Sequence, residues 1–373
     1  MSERLKVLTV VGTRPEIIRL SATIKLLDEH TDHVLVHTGQ NYDYELNEVF
    51  FEDLGLRRPD HFLEADTSSL GAALGSIIQK TEKVLEEEKP DAFLVLGDTN
   101  SAISAVMAKR MKIPVFHMEA GNRSFDENVP EETNRRLVDH ISDYNLVYTE
   151  HGRRNLLGEG VHPSRILLTG SPMREVLEQN AEQIEASDVL ERQGLTPGGY
   201  FLVSLHREEN VDHPERLESA IESLQAVRRE YGLPILVSTH PRTRKRLEAL
   251  PERDKEGIIF HPPFGFHDYV KLQKEAKLVL SDSGTISEES SMLGFPAVTM
   301  RDFIERPEAL DAGAMITTGL RAPDVLDAVR IVLEETRPAA PPHEYGIRNA
   351  SSRALRFIRS SVQGHEFRTG IRA

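Results

Sequence analysis

Short apolar runs separated by amphipathic stretches repeat along the whole chain. Residues 5–11, 33–37, 92–96, 115–118 and 144–148 read as strands. Between them, 15–27, 70–86, 101–110 and 132–141 space their apolar residues as helices do, the first with Pro15 in its opening turn. After Gly170-Ser-Pro172 the pattern starts again. It predicts strands at 200–205, 234–238, 258–260, 278–280 and 297–300, with helices at 213–228, 243–249, 268–274, 286–293 and 323–335. Such alternation predicts an α/β fold with open, mainly parallel, doubly wound sheets. The expected architecture is two Rossmann-like domains, 1–170 and 171–350, with a cleft between them. The acidic stretch 175–192 reads as a surface helix and linker, and the prolines of 338–342 as a turn. An amphipathic helix over 351–362, within a C-terminal segment 351–373, is expected to return to the first domain.

Ligands of open α/β sheets bind beyond the carboxyl ends of the strands, and the polar clusters of this chain fall there. The richest is Leu280-Ser-Asp-Ser-Gly-Thr-Ile-Ser-Glu-Glu289, followed by Arg301 and Arg306. An apolar strand, a turn of small residues and a helix N-terminus make an anion site, because the first helical amides lack intrahelical partners. Gly284 lets backbone approach a ligand closely. Glu288 and Glu289 suit the helix dipole, and one of them is placed to accept from ribose hydroxyls. The segment suggests a nucleoside diphosphate bound without a Walker lysine.

Composition narrows the partners. In 373 residues the hydrophobic fraction is 39% and the charged fraction 28%, as in ordinary soluble domains. No apolar run approaches the ~20 residues of a membrane span. The apolar run at 7–11 is too short for the core of a signal peptide, so a cytoplasmic location and no membrane insertion are expected. Cysteine is absent, which excludes disulfides, thiolate metal sites and a cysteine nucleophile. The net charge of −15 argues against nucleic acid as a partner. An anionic substrate then needs locally gathered Arg and His.

Each cluster has a structural and a functional reading. In Gly12-Thr-Arg-Pro-Glu16, Arg14 stands at a strand end beside a helix start, either solvated or facing an anion. Arg19, one turn later, points back to the same place. Asp98, in Gly97-Asp-Thr99, by itself reads as the cap of a helix at Ser101. Glu119, in His117-Met-Glu-Ala-Gly121, lies between an apolar strand and a glycine, where burial raises a carboxyl pKa and suits proton transfer. Glu131 opens the next helix as a dipole partner or as a third carboxylate. Three carboxylates at separate strand ends are hard to explain as caps alone, and paired acid and base chemistry uses such groups. His206-Arg207 and His240-Pro-Arg-Thr-Arg244 follow two strands of the second half, placed to hold a diphosphate or simply solvated. Tyr269 either packs in the core or stacks on a base. No HExxH or GxGxxG pattern is present.

Taken in order, Gly12-Thr-Arg-Pro-Glu16, Gly97-Asp-Thr99, Glu119-Ala-Gly121, Pro130-Glu-Glu132 with Asn134-Arg135, His206-Arg207, Asp282-Ser-Gly284 with Glu288-Glu289, and Glu305-Arg-Pro-Glu308 resemble the non-hydrolysing UDP-N-acetylglucosamine 2-epimerase family. The resemblance runs from about Leu5 to Gly319. It implies a glycosyltransferase-B-like fold, a homodimer, and inversion of C2 of a UDP-sugar by anti-elimination of UDP and re-addition through a 2-acetamidoglycal. It implies no redox cofactor and no metal. Asp98, Glu119, Glu131 and His206 match the catalytic set; Arg14, Arg207, Tyr269, Ser283, Gly284, Thr285, Glu289 and Arg306 match the UDP contacts. Arg19, His240 and Gln40 are additional candidates, the last two for activation by substrate.

Some positions depart from the family pattern. The usual Lys is Arg19, the usual Glu-Ala-Gly-Leu-Arg is Glu119-Ala-Gly-Asn-Arg123, and the usual Ser-Gly-Gly is Ser283-Gly284-Thr285, expected to be a less permissive turn. Met118–Arg123, Leu205–Asn210 and Asp282–Glu289 look more like a branch converting UDP-2-acetamido-2,6-dideoxy-L-talose to UDP-N-acetyl-L-fucosamine. A hydrolysing epimerase, a retaining glycosyltransferase and a nucleotide-sugar sensor are the remaining alternatives.

Overall fold

The computed structural model describes residues 4–39, 44–239, 243, 244, 246, 256–335 and 340–370. Gln40 and His240 lie outside the described residues, as does most of the helix expected over 243–249. The chain forms two compact units, Met1–Gln179 with Gly346–Ala373, and Asn180–Tyr345.

The first unit is a seven-stranded sheet in the order β3-β2-β1-β4-β5-β6-β7. Its strands are β1 (Lys6–Val11), β2 (Asp32–His37), β3 (His61–Phe62), β4 (Ala92–Leu96), β5 (Val115–Met118), β6 (Tyr144–Val147) and β7 (Ile166–Leu168). Every pairing is parallel. β4 and β5 are buried at every position because helices cover both faces, so they carry continuous apolar residues rather than an alternation. The helices Leu70–Glu88, Ala105–Arg110 and Pro130–Ile141 lie against this sheet, and Val84, Leu85, Ala105, Ala108 and Val138 join its core. The helix Ala350–Val362 belongs to this unit; Ser351 accepts from the Thr23 hydroxyl, and its amide donates to Glu175.

The second unit is a five-stranded parallel sheet, β10-β9-β8-β11-β12. It consists of β8 (Phe201–Leu205), β9 (Ile235–Thr239), β10 (Ile258–His261), β11 (Leu278–Ser281) and β12 (Ala297–Thr299). Its two faces carry separate cores. One gathers Leu217, Leu224 and Val325 from the helices Pro214–Tyr231 and Ala322–Glu334; the other gathers Val189, Leu272 and Ile286.

In both sheets the strand order reverses beside the first strand of the unit, between β1 and β4 and between β8 and β11. Those are the positions where a doubly wound sheet opens a crevice at the strands' carboxyl ends. The expected fold class holds. Periodicity alone does not reveal β3, β7 or the helices Tyr44–Asp53 and Glu150–Gly158. The stretch 175–192 is broken into three short helices, Met173–Gln179, Ala181–Ala186 and Val189–Gln193, instead of one. Among the described residues no helix is long and apolar enough to cross a membrane.

Candidate active site

In the first unit, β1 ends at Val11 and the helix Arg14–His30 begins three residues on, with Thr13 as its N-cap. Glu16 makes this abrupt start possible. Its Oε2 accepts the Gly12 and Thr13 amides, both at 2.7 Å, the second of which is among the donors a helix start leaves unpaired. Its Oε1 accepts the hydroxyls of Thr99 at 2.7 Å and of Ser101, which follow β4. One buried carboxylate thus joins the ends of the two strands that flank the switch point. Burial is the largest influence on it and pushes its carboxyl up; the hydrogen bonds offset part of that rise. Arg14 lies in the first turn, its guanidinium 5.6 Å from the ring centre of Phe50.

Asp98 follows β4 and Gly97. Thr99, not Asp98, caps the turn that follows, accepting from the Ser101 amide at 3.3 Å. Asp98 is therefore not used as a cap. Its Oδ2 accepts both Nε (3.0 Å) and Nη2 (2.5 Å) of Arg135, and Asn134 donates to its carbonyl at 2.9 Å.

Glu119 follows β5 with φ of +65°, a backbone conformation that costs a non-glycine residue about 1–3 kcal/mol. Its carboxylate reaches back across the sheet: a Cβ at Gly97 would sit 3.6 Å from Oε2. Arg19 donates to that oxygen, and Asn122 donates to Oε1 at 3.4 Å. Glu119 is half-buried and ion-paired with Arg19. The two departures at Arg19 and Asn122 turn out to meet on this one side chain.

Glu131 is half-buried in the first turn of the helix Pro130–Ile141. The carboxylate that sequence reasoning passed over is its neighbour. Glu132 is buried and accepts the amide and hydroxyl of Ser124, Arg135 and Arg136, each at 3.0 Å. Burial opposes its charge, and these donors outweigh it and hold its carboxyl below the ordinary value. Arg135 bridges Glu132 to Asp98.

In the second unit, the ends of β8 and β11 are joined in the same way. Asp282 is wholly buried and accepts the amides of His206 (3.1 Å) and Arg207 (3.0 Å) and the Asn210 amide group (3.2 Å). His206 Nδ1 lies 3.1 Å from its Oδ1, with the imidazole more than a third exposed. Burial opposes the charge of Asp282, but His206, the Arg207 amide and Asn210 prevail and depress its pKa. An aspartate that orients a half-exposed histidine is a proton-handling or anion-holding arrangement. Sequence reading treated Asp282 only as part of a turn.

Ser283 organises that turn. Its hydroxyl meets the Thr285 hydroxyl at 2.9 Å and accepts the Thr285 amide at 3.3 Å, and its carbonyl accepts the Ile286 amide at 3.4 Å. Two of the amides expected to await an anion are thus occupied, by long bonds. Thr285 caps the helix Ile286–Leu293 at φ −79° and ψ −19°, so this threonine imposes no strain where a second glycine was the usual pattern. Gly284 has no positive φ either. Its importance is space: a Cβ there would lie 3.2 Å from Arg306 Nη1 and 3.4 Å from Arg207 Nη2. Arg306 is buried and donates to the Gly284 carbonyl at 2.7 Å, with Nε 3.5 Å from Glu288. Arg207 stands 3.6 Å from Glu305, which Arg301 grips with two nitrogens. The cations of this turn are thereby oriented by carboxylates. Glu289 accepts from Gln273 at 2.5 Å. Tyr269 packs against the core around Tyr200 and Leu272, and burial raises its hydroxyl well above the ordinary value.

A protein-family model described as UDP-N-acetylglucosamine 2-epimerase matches residues 25–359. A solved structure of UDP-N-acetylglucosamine 2-epimerase from Rickettsia bellii is 49% identical, with a TM-score of 0.92 over 98% of this chain and 99% of that one. The Methanocaldococcus jannaschii UDP-GlcNAc 2-epimerase, solved with UDP-GlcNAc and UDP, is 38% identical, with a TM-score of 0.90 over 95% of this chain and all of that one. The UDP-2,3-diacetamido-2,3-dideoxy-D-glucuronate 2-epimerase of Pseudomonas aeruginosa is 34% identical over 95% of this chain and 99% of its own. With Asp98 and Glu119 on neighbouring strand ends of one sheet and the Asp282–His206 pair beside the switch point of the other, these likenesses establish that the chain belongs to the UDP-N-acetylglucosamine 2-epimerase family.

Proposed function

We propose that the protein is a cofactor-independent, non-hydrolysing UDP-N-acetylglucosamine 2-epimerase that interconverts UDP-GlcNAc and UDP-ManNAc. The observation that carries this reading is the placement of Asp98 and Glu119 on the adjacent strand ends of β4 and β5, each held by a guanidinium. In the proposed reaction a carboxylate takes the C2 proton, the C2–H electrons form the C1–C2 double bond, and the C1–O bond breaks with its electrons leaving on UDP. Re-addition of UDP at C1 with protonation of the opposite face of C2 completes the inversion. The C2 proton is weakly acidic, so stabilising the charge that develops on the departing diphosphate is the larger requirement. Arg14, His206, Arg207, Ser283 and Gly284 are assigned to that role, Glu289 and Tyr269 to the nucleoside, and Thr285 and Arg306 to the turn. Glu131 completes the acidic set. Asp98, Glu119 and Glu131 are assigned the proton transfer; a cytoplasmic homodimer is the proposed working form.

A second reading keeps the chemistry and changes the sugar. The Pseudomonas relative is named for a different UDP-sugar, and Asn122 stands where the family pattern has Leu. C2 inversion of UDP-2-acetamido-2,6-dideoxy-L-talose is therefore the alternative. Incubation in D2O with UDP-GlcNAc and with the 6-deoxy talo and fuco sugars separates the two readings, because deuterium enters C2 of the true substrate. Absence of C2 exchange with all of them refutes the epimerase, and net release of UDP indicates a hydrolysing enzyme.

A further inference from the structure

Behind the two carboxylates lies a buried, hydrogen-bonded group centred on His117 and Asp139. His117, on β5, is fully buried, with both ring nitrogens engaged: Nδ1 meets Asp139 Oδ1 and Nε2 meets the Gly97 carbonyl, each at 2.8 Å. Gly97 is the residue before Asp98, and His117 is two residues before Glu119. Asp139, fully buried in the helix Pro130–Ile141, also accepts the Gly121 amide on both oxygens at 3.2 Å and Arg123 Nη1 at 2.7 Å. Arg123 in turn is held by Glu159 through two bonds of 2.8 and 2.7 Å.

The turn that this group grips is the strained one. Glu119 has φ +65° and Gly121 φ +80°, and a Cβ at Gly121 would fall 2.3 Å from the Gly152 carbonyl. Backbone in that region persists only when its surroundings over-determine it. Among the contacts that do so are the Asp139 carboxylate on the Gly121 amide, Asn155 on the Gly121 carbonyl at 2.9 Å, the Ala120 amide on the Leu146 carbonyl at 3.3 Å, and Gly152 closing from behind. Of these, only Asp139 also reaches, through His117, the turn that carries Asp98.

We infer that Asp139 and His117 are positioning residues for the reaction, setting Glu119 and Asp98 relative to each other from beneath the sheet ends. The inference rests on the proposed role of those two carboxylates in proton transfer. Displacing a reacting group by about 1 Å costs on the order of 10²-fold in rate, so the effect is expected in kcat with KM little changed.

Three variants test it. Asp139→Asn removes an acceptor from the Gly121 amide. His117→Asn keeps a nitrogen near Asp139 and drops the contact with Gly97. Glu159→Gln weakens the outer partner of Arg123 and touches neither turn. Per folded molecule, the first two are expected to lose kcat for C2 exchange on the order of 10²-fold, while Glu159→Gln loses thermal stability and keeps the parent kcat. Parent kcat in Asp139→Asn or His117→Asn overturns the inference, as does an equal loss in Glu159→Gln. If Asp139→Asn does not fold, His117→Asn decides. If the parent itself shows no C2 exchange, the epimerase reading fails separately. Hydrogen exchange of the 118–122 backbone then decides: faster exchange in His117→Asn than in Glu159→Gln supports positioning, and equal protection refutes it.

Discussion

Replacing Asp282 by asparagine keeps the shape of the side chain and removes one acceptor oxygen. The carboxylate serves the amides of His206 and Arg207, the Asn210 side chain and the His206 ring. An asparagine oxygen can keep one side of this set, and its NH2 then faces a donor. Turning Asn210 over does not rescue the arrangement, because its own oxygen already accepts from Arg216 at 2.9 Å. At least one buried donor loses its acceptor, at a cost of about 1–3 kcal/mol. In a domain of this size that lowers Tm by roughly 2–12 °C. His206 and Arg207 also lose their anchor, so UDP affinity is expected to fall about tenfold, or ~1.4 kcal/mol. Calorimetric unfolding and UDP titration measure both quantities. The pH dependence is a third check. The folded pKa of Asp282 lies below its ordinary 3.8, so its stabilisation is complete above that value and is lost as pH falls through the folded one. The stability gap between parent and variant should therefore narrow only in strong acid. A Tm shift below about 2 °C at neutral pH, together with unchanged UDP affinity, would refute the reasoning.

Two glycine substitutions should behave oppositely. Gly121→Ala places a Cβ 2.3 Å from the Gly152 carbonyl at a positive φ and is expected to destabilise by more than about 2 kcal/mol, visible as lost soluble yield and a lower Tm. Gly284→Ala meets only side-chain tips at 3.2–3.4 Å without a positive φ, so it should fold normally and weaken UDP binding about tenfold; normal affinity would count against this turn as the UDP site. Asn122→Leu removes a long hydrogen bond from Glu119 but leaves Arg19 in place. Its Tm should stay close to that of the parent while kcat falls several-fold at constant KM, and unchanged kcat would show that Asn122 does not act on Glu119.

Much of this protein can be read along the chain. Buried parallel strands announce themselves because both of their faces must be apolar, and helices between them keep one face apolar, so the two doubly wound sheets follow from local pattern. The positions of Asp98, Glu119, His206 and Ser283 at strand ends follow too, since an apolar run must stop before a polar cluster begins. Short edge strands such as Ile166–Leu168 and the brief helices of 173–193 carry too few residues for a period to show. Glu16 had a local signal in the Thr-x-x-Glu spacing of a capping box, but nothing local ties it to Thr99 and Ser101. Asp139 had none: it sits mid-helix, and only folding brings its carboxylate to Gly121, His117 and Arg123. Folding also decides which acids are paired. Hydrogen bonding and charge compensation act over a few ångströms in space, whereas the periodicity of a sequence records only which side of an element faces the core. The chain alone therefore reveals which residues lie at the sheet ends, and the tertiary structure decides which of them are held, by what, and in which direction they point.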